Sequence, residues 1–224
     1  MQPRDSHPWS RDPAPGIAVL VAGIALAGLV ALTAGVLFFP AFQDLDARIS
    51  DTLRGVDSSV LEALALSLSL LGSRWVMAAL TVAGVLGLLV RGNRSSAALL
   101  AGTMVIGTAA GSVLKEVVER ARPGLEVARI PVPETYSFPS GHALAAFLFF
   151  GIVAFLFFVL ADSVRVKLWA WLVCSLLAFG VALSRVYLGV HYLGDIIASW
   201  MLGSVFLMVA VGGHVLWVTR KRVE

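Results

Sequence analysis

The sequence predicts an all-α, polytopic membrane protein, with six transmembrane helices and an interfacial helix between the first and second. Three observations predict it. Of the 224 residues 58% are hydrophobic and 14% charged, where a soluble domain carries roughly half apolar and about a quarter charged residues. Mean hydropathy is +0.88. The excess lies in long blocks, and runs of about 18–20 apolar residues are long enough to cross a bilayer. The net charge of +3 is small and its cations sit at segment ends. There is no basic stripe of the kind that binds nucleic acid. Cys174 is the single cysteine, so an intrachain disulfide and a thiolate metal cluster are excluded. In its apolar surroundings it reads as a small buried hydrophobe.

The first residues, "MQPRDSHPWSRDPAP", are rich in proline and charge, and 1–15 is expected to be a flexible cytoplasmic tail. The membrane domain is assigned to 16–219 and a basic cytoplasmic tail to 220–224. A first span is predicted at 17–39. It is too long for a signal-peptide core and lacks a clear small-residue cleavage site, so it reads as a retained anchor. In "AFQDLDARISDTLRGV" (41–56), Phe42, Leu45, Ile49 and Leu53 recur at helical spacing, as in an amphipathic helix at the membrane surface. The stretch 59–72 is short for a span and carries serines and a glutamate, which fits an interfacial or re-entrant segment better. Further spans are predicted near 75–91, 95–119, 141–161, 166–187 and 192–218.

With six spans both termini share a side with the loops 91–94 and 162–167. That side holds Arg4, Arg11, Arg91, Arg94, Arg165, Lys167, Arg220, Lys221 and Arg222, so both termini are expected to be cytoplasmic. The opposite side also carries Arg48, Arg54, Lys115, Arg120, Arg122, Arg129 and Arg185, a surplus that the charge rule does not explain.

Polar residues gather at the outer ends of spans three to six. Lys115 and Arg122, in "GSVLKEVVERARPG", are seven residues apart and would share a face of a continuous helix. Pro123 should end that helix at Arg122. Such cations either bind an anion or serve the helix dipole and snorkel. Ser140 and Gly141, in "SFPSGHALAAF", stand at a helix N-terminus, where free N–H groups favour an oxyanion and a serine also makes an ordinary cap. His142 follows and is not needed for capping. In "SRVYLGVHYLGDIIASW", His191 and Asp195 are four apart and can meet on a helical face, with Arg185 across a predicted break at Gly189. The pair either locks two helices together or holds one imidazole nitrogen as N–H and frees the other as a nucleophile. Ionisable groups at membrane depth usually mark a site, and three cations, a helix N-terminus and two histidines at one level suit phosphate chemistry.

The segments "KEVVERARP" (115–123), "PSGH" (139–142) and "SRVYLGVHYLGD" (184–195) resemble, in order and spacing, the three signature motifs of the type 2 phosphatidic acid phosphatases. These are membrane lipid phosphatases related to some soluble acid phosphatases and haloperoxidases. No signature position departs from the pattern. The resemblance implies His191 as a nucleophile forming a phosphohistidine, oriented by Asp195. It implies Lys115, Arg122 and Arg185 as clamps on the phosphoryl oxygens, with Ser140 and the Gly141 N–H completing the cradle. His142 would protonate the leaving oxygen and then activate water. Fixed cations lower the pKa of a nearby histidine whereas Asp195 raises it, so the two effects oppose one another at His191.

The short layout is similar to bacterial members acting on undecaprenyl pyrophosphate or phosphatidylglycerophosphate, and an outward-facing site favours the former. Phosphatidic acid and diacylglycerol pyrophosphate are alternatives. The expected partner is a membrane lipid in the plasma (inner) membrane. No cofactor is implied, and with no carboxylate cluster beside the motifs the enzyme is expected to need no metal. Transport of an anionic lipid is the main rival. A non-catalytic scaffold would leave His142 and His191 unexplained. His214 reads as structural, Trp75, Trp169, Trp171 and Trp217 as interface anchors, and Gly107 and Gly111 as packing positions. Glu134 and Tyr136 are given no role.

Overall fold

The computed structural model describes residues 14–223, with side chains over 16–217, and shows helices and no strand among them. The helices are α1 (Ala14–Phe38), α2 (Pro40–Arg54), α3 (Ser59–Leu71), α4 (Arg74–Val90), α5 (Arg94–Val118), α6 (Gly141–Leu160), α7 (Val164–Tyr187) and α8 (Leu193–Val223). A single 3-10 turn, Leu125–Val127, interrupts the loop between α5 and α6. The two tails assigned from the sequence lie outside the residues with described side chains.

Helices α1, α5, α6, α7 and α8 are each long and apolar enough to cross a membrane. The sixth candidate span is a bent pair of helices. Helix α4 has 17 residues, about 26 Å at 1.5 Å per residue, and is short for a span of its own. It follows α3 across a 53° bend at Gly72–Ser73, and the two together qualify as one broken span or as a re-entrant loop, the latter being the form read from the sequence for 59–72. The break is built in locally. Ser73 caps α4 by accepting the Val76 N–H at 3.5 Å. A Cβ at Gly72 would overlap Val181 of α7 and touch the His142 ring.

Helix α6 is apolar all round and is the most buried of the five long spans, so it forms the centre, packed against α5, α7 and α8. In lipid, helices associate through close van der Waals fit rather than escape from water. Accordingly Gly107 and Gly111 of α5 face Leu148 and Leu144 of α6, and a Cβ at either would overlap those leucines. Helix α1 lies along α8 with most of its surface exposed, and Trp75, Trp169, Trp171 and Trp217 are exposed as well.

Two further expectations are revised, and a third element gains a direction. The helix expected at 95–119 stops at Val118, because Glu119 adopts a left-handed conformation (φ 51°). That turn brings Arg120 inward, where its carbonyl accepts the Ser137 N–H at 2.7 Å. Lys115 and Arg122 therefore do not share a continuous helix. His191 likewise lies before α8, which starts at Leu193, so it meets Asp195 across a turn rather than along a helical face. The turn is made at Gly189 (φ 74°), as predicted, and only glycine fits there because a Cβ would strike the Val127 carbonyl. Finally, α2 is amphipathic as expected, and it turns its polar side inward: Asp46, Ser50 and Arg54 are buried, whereas Leu45, Ile49 and Leu53 are exposed.

Candidate active site

Helices α5 and α7 end, and α6 and α8 begin, at one end of the bundle, so two carbonyl-rich and two N–H-rich termini face each other there. All eight residues singled out from the sequence lie at this end. Lys115 is in the last turn of α5, Arg122 in the following loop, and Ser140, Gly141 and His142 at the start of α6. Arg185 is in the last turn of α7, His191 in the α7–α8 turn, and Asp195 in the first turn of α8.

Asp195 is fully buried and its carboxylate is saturated. Oδ1 accepts from Arg120 Nη1 (2.7 Å). Oδ2 faces His191 Nδ1 (3.2 Å) and accepts from the Tyr192 N–H (2.9 Å) and the Ser137 hydroxyl. On its other edge, His191 Nε2 lies 3.1 Å from Arg122 Nη1. A guanidinium can only donate, so Nε2 is the acceptor and the proton sits on Nδ1, pointing at Asp195. The sequence left the charge state of His191 between opposing effects. Burial decides it: together with Arg122 and Arg185 it outweighs Asp195 and lowers the pKa to about 4. The ring is thus neutral between its ordinary 6.5 and about 4, a window in which a free imidazole gains its proton. Histidine-ring NMR at pH 5.5 should show His191 uncharged, and a titration midpoint near 6.5 would contradict this environment.

Two of the cations, Lys115 and Arg122, are held by the loop that precedes α6. Arg122 spends every donor: Nε on Thr135 O (2.7 Å), Nη2 on Thr135 Oγ1 (3.1 Å) and Tyr136 O (3.2 Å), and Nη1 on Val190 O (2.8 Å) and His191. Burial lowers its pKa, against the pull of Asp195. Lys115 Nζ donates to Tyr136 O (2.6 Å), Pro139 O (2.9 Å) and Ser137 O (3.4 Å). Arg185 donates Nη1 to the Ser69 hydroxyl of α3, and its Nε is buried with no partner among the described residues. An oxyanion entering here would compete with carbonyls for Lys115 and Arg122, but would find Arg185 Nε free.

Ser140 caps α6, accepting the Ala143 N–H at 3.5 Å. Its own N–H donates to Asp195 O (3.3 Å), and Ser199 Oγ bridges Ser140 O (2.9 Å) and Asp195 O (2.7 Å), so the starts of α6 and α8 are pinned together. Gly141 is exposed, with open space where a Cβ would stand. His142 is half-buried, with its ring beside Gly72 at the bend between α3 and α4.

Sequence reasoning missed Arg120, Ser137 and Ser69, and the polar side of α2. Arg120 is buried between two carboxylates. Burial alone would lower its pKa, yet Asp195 and Asp46 outweigh it and hold it above its ordinary value. The unexplained cation surplus was the available signal. Arg54, Arg120 and Arg129 are bonded within this end, Arg129 Nη2 to Arg54 O at 3.1 Å and its guanidinium 4.7 Å from the Tyr187 ring. Glu134 is exposed, and far from this end His214 Nδ1 pairs with Ser95 Oγ at 3.1 Å.

Residues 96–218 match the family model described as the PAP2 superfamily. Over 101 residues the chain is 35% identical to phosphatidylglycerophosphatase B of Bacillus subtilis (strain 168), spanning 45% of this chain and about half (49%) of that protein. Over 150 residues it is 35% identical to the undecaprenyl-diphosphatase of Sulfolobus acidocaldarius, spanning 65% of this chain and 67% of that one. The crystal structure of a transmembrane PAP2-type phosphatidylglycerolphosphate phosphatase from Bacillus subtilis superposes with a TM-score of 0.72 at 26% identity, over 90% of this chain and 96% of that one. Aquifex aeolicus LpxE superposes at 0.59 and 19% identity, over 75% and 94%, a likeness of fold alone.

Proposed function

The chain belongs to the PAP2 superfamily, and from that premise we propose that it hydrolyses a lipid phosphate monoester or pyrophosphate through a phosphohistidine on His191. The carrying observation is the ring of His191: Nδ1–H is held by Asp195 while Nε2 faces the Arg122 guanidinium, where a phosphoryl group would lie. Nε2 attacks phosphorus, the bond from phosphorus to the lipid-side oxygen breaks, and that oxygen takes a proton from His142. Water then attacks phosphorus and gives its proton to His142, the phosphorus–nitrogen bond breaks, and phosphate leaves. Lys115, Arg122 and Arg185 stabilise the equatorial oxygens, for which phosphoryl transfer chiefly needs fixed positive charge. Ser140 and the Gly141 N–H complete the cradle. These cations take the part that a metal plays elsewhere, so the reaction is proposed to be metal-independent.

The proposed substrate is undecaprenyl pyrophosphate, converted to undecaprenyl phosphate at the outer face of the plasma membrane, with both termini cytoplasmic and the described bundle belonging to one domain over 16–219. Phosphatidylglycerophosphate is the alternative, supported by the name of the Bacillus subtilis relative, followed by phosphatidic acid. Phosphate release by the purified protein in detergent with EDTA should proceed on at least one of the three, fastest on undecaprenyl pyrophosphate. Activity abolished by EDTA and restored by one metal would overturn metal independence. A different ranking would reassign the substrate, and no turnover on any of them by folded protein would favour lipid transport.

A further inference from the structure

Helix α2 looks inside out. Asp46, Ser50 and Arg54 are four residues apart, so they share one face, and all three are buried at 5%, 0% and 7% exposure. The apolar residues one place earlier, Leu45, Ile49 and Leu53, face outward. The outer stripe suits hydrocarbon contact. The inner stripe is spent on the segment that carries His191. Arg54 donates Nε to Val186 O and Nη2 to His191 O, each at 3.2 Å. Ser50 Oγ accepts the Leu193 N–H at 2.9 Å, and Asp46 Oδ1 accepts the Gly194 N–H at 2.8 Å. Asp46 Oδ2 accepts from Arg120 Nη2 at 2.8 Å, and Nη1 of the same guanidinium reaches Asp195 Oδ1 at 2.7 Å. The Arg120 guanidinium is also 4.2 Å from the Tyr192 ring centre.

We propose that α2 is a positioning element for the reaction, its Asp46, Ser50 and Arg54 fixing the His191 turn directly and its Asp46 fixing the Asp195 carboxylate through Arg120. This rests on the proposed role of His191. Two of these bonds could be ordinary satisfaction of N–H groups left free at the start of α8. The Asp46–Arg120–Asp195 chain is different, because its far end is the carboxylate that sets the proton on His191 Nδ1. A reacting group must be held within about 0.5 Å of its productive place by such supports, and α2 reaches the His191 residue itself from 137 residues away in sequence.

The test compares Asp46→Asn, Arg120→Gln, Arg120→Lys and the milder Ser50→Ala with the parent full-length protein in detergent. It reads kcat, KM, inhibition by inorganic phosphate and the His191 ring signals by NMR. Asp46→Asn and Arg120→Gln should lower kcat roughly 10–100-fold, as loss of outer supports commonly does. KM and phosphate affinity should stay within about threefold, since no phosphate-facing cation is touched. Arg120→Lys should recover part of the rate, and the single Nδ1–H tautomer should become a mixture in Asp46→Asn. Should the larger changes prevent folding, Ser50→Ala carries the test with a smaller fall in kcat alone. Unchanged kcat and ring signals in folded variants would overturn the proposal, as would KM and phosphate affinity worsening in step with kcat. Turnover that survives loss of His191 would instead sink the catalytic scheme, while the ring signals would still report whether α2 positions that residue.

Discussion

Replacing His191 with alanine should abolish turnover, lowering kcat by about four orders of magnitude or more while the protein still folds. Loss of a nucleophile that acts as part of a unit removes nearly the whole covalent route. What remains is the cation clamp acting on a directly attacking water. The ring is 2% exposed, so its removal leaves a small gap beside Arg122, and Asp195 keeps Arg120, Ser137 and Tyr192 as partners. Stability should therefore fall far less than activity. Phosphate release, together with thermal unfolding and size-exclusion behaviour, separates the two. In the parent enzyme a radiolabelled phosphoryl group should remain on the protein after alkaline quenching and be lost in acid, as a phosphorus–nitrogen bond requires. Turnover within tenfold of the parent in folded His191→Ala would remove His191 from the role of nucleophile.

Asp195→Asn should lower kcat by roughly three to four orders of magnitude, the scale seen when an acceptor carboxylate behind a catalytic histidine becomes an amide. The carboxylate here only accepts, and four donors converge on it. An asparagine brings one oxygen and one N–H₂ group, so at least one donor must face another donor. If the amide nitrogen turns toward His191, the ring takes its proton on Nε2 and the attacking lone pair is lost. If it turns toward Arg120, two N–H groups collide at a buried contact of 2.7 Å. Arg120 still has Asp46, so the stability loss should be about 1–3 kcal/mol, that of a disrupted buried hydrogen-bond network. The discriminating measurement is the His191 tautomer by NMR beside kcat. A full-rate Asp195→Asn enzyme would show that the carboxylate does not set the nucleophile.

Much of this was legible along the chain because membrane helices announce themselves by length and apolarity, and their ends by Gly, Pro and charge. The break at Gly189 and the packing at Gly107 and Gly111 could be foreseen because each depends on a residue type at one place. The sharp bend between 59–72 and α4 could not be located from the sequence, since Gly72 there packs against Val181 and His142, residues remote in sequence. Periodicity placed a helix at 41–56 but could not say which face points inward. In water an apolar stripe is buried, whereas beside lipid the same stripe can be the outer one.

By itself, then, the sequence determined an all-α multi-pass chain, and it put three cations, a helix N-terminus and two histidines at matching helix ends, because those features follow from local composition and spacing. Only the tertiary structure decided how the ends are joined. It ended α5 early at Glu119 and so placed Arg120 between Asp46 and Asp195. It left His191 off the helix with a single tautomer, and made burial the dominant influence on its charge. The physical reason is that hydrogen-bond satisfaction and burial are properties of a neighbourhood. At this end of the bundle the neighbours come from α2, α3, α5, α6, α7 and α8, and no window along the chain contains them all.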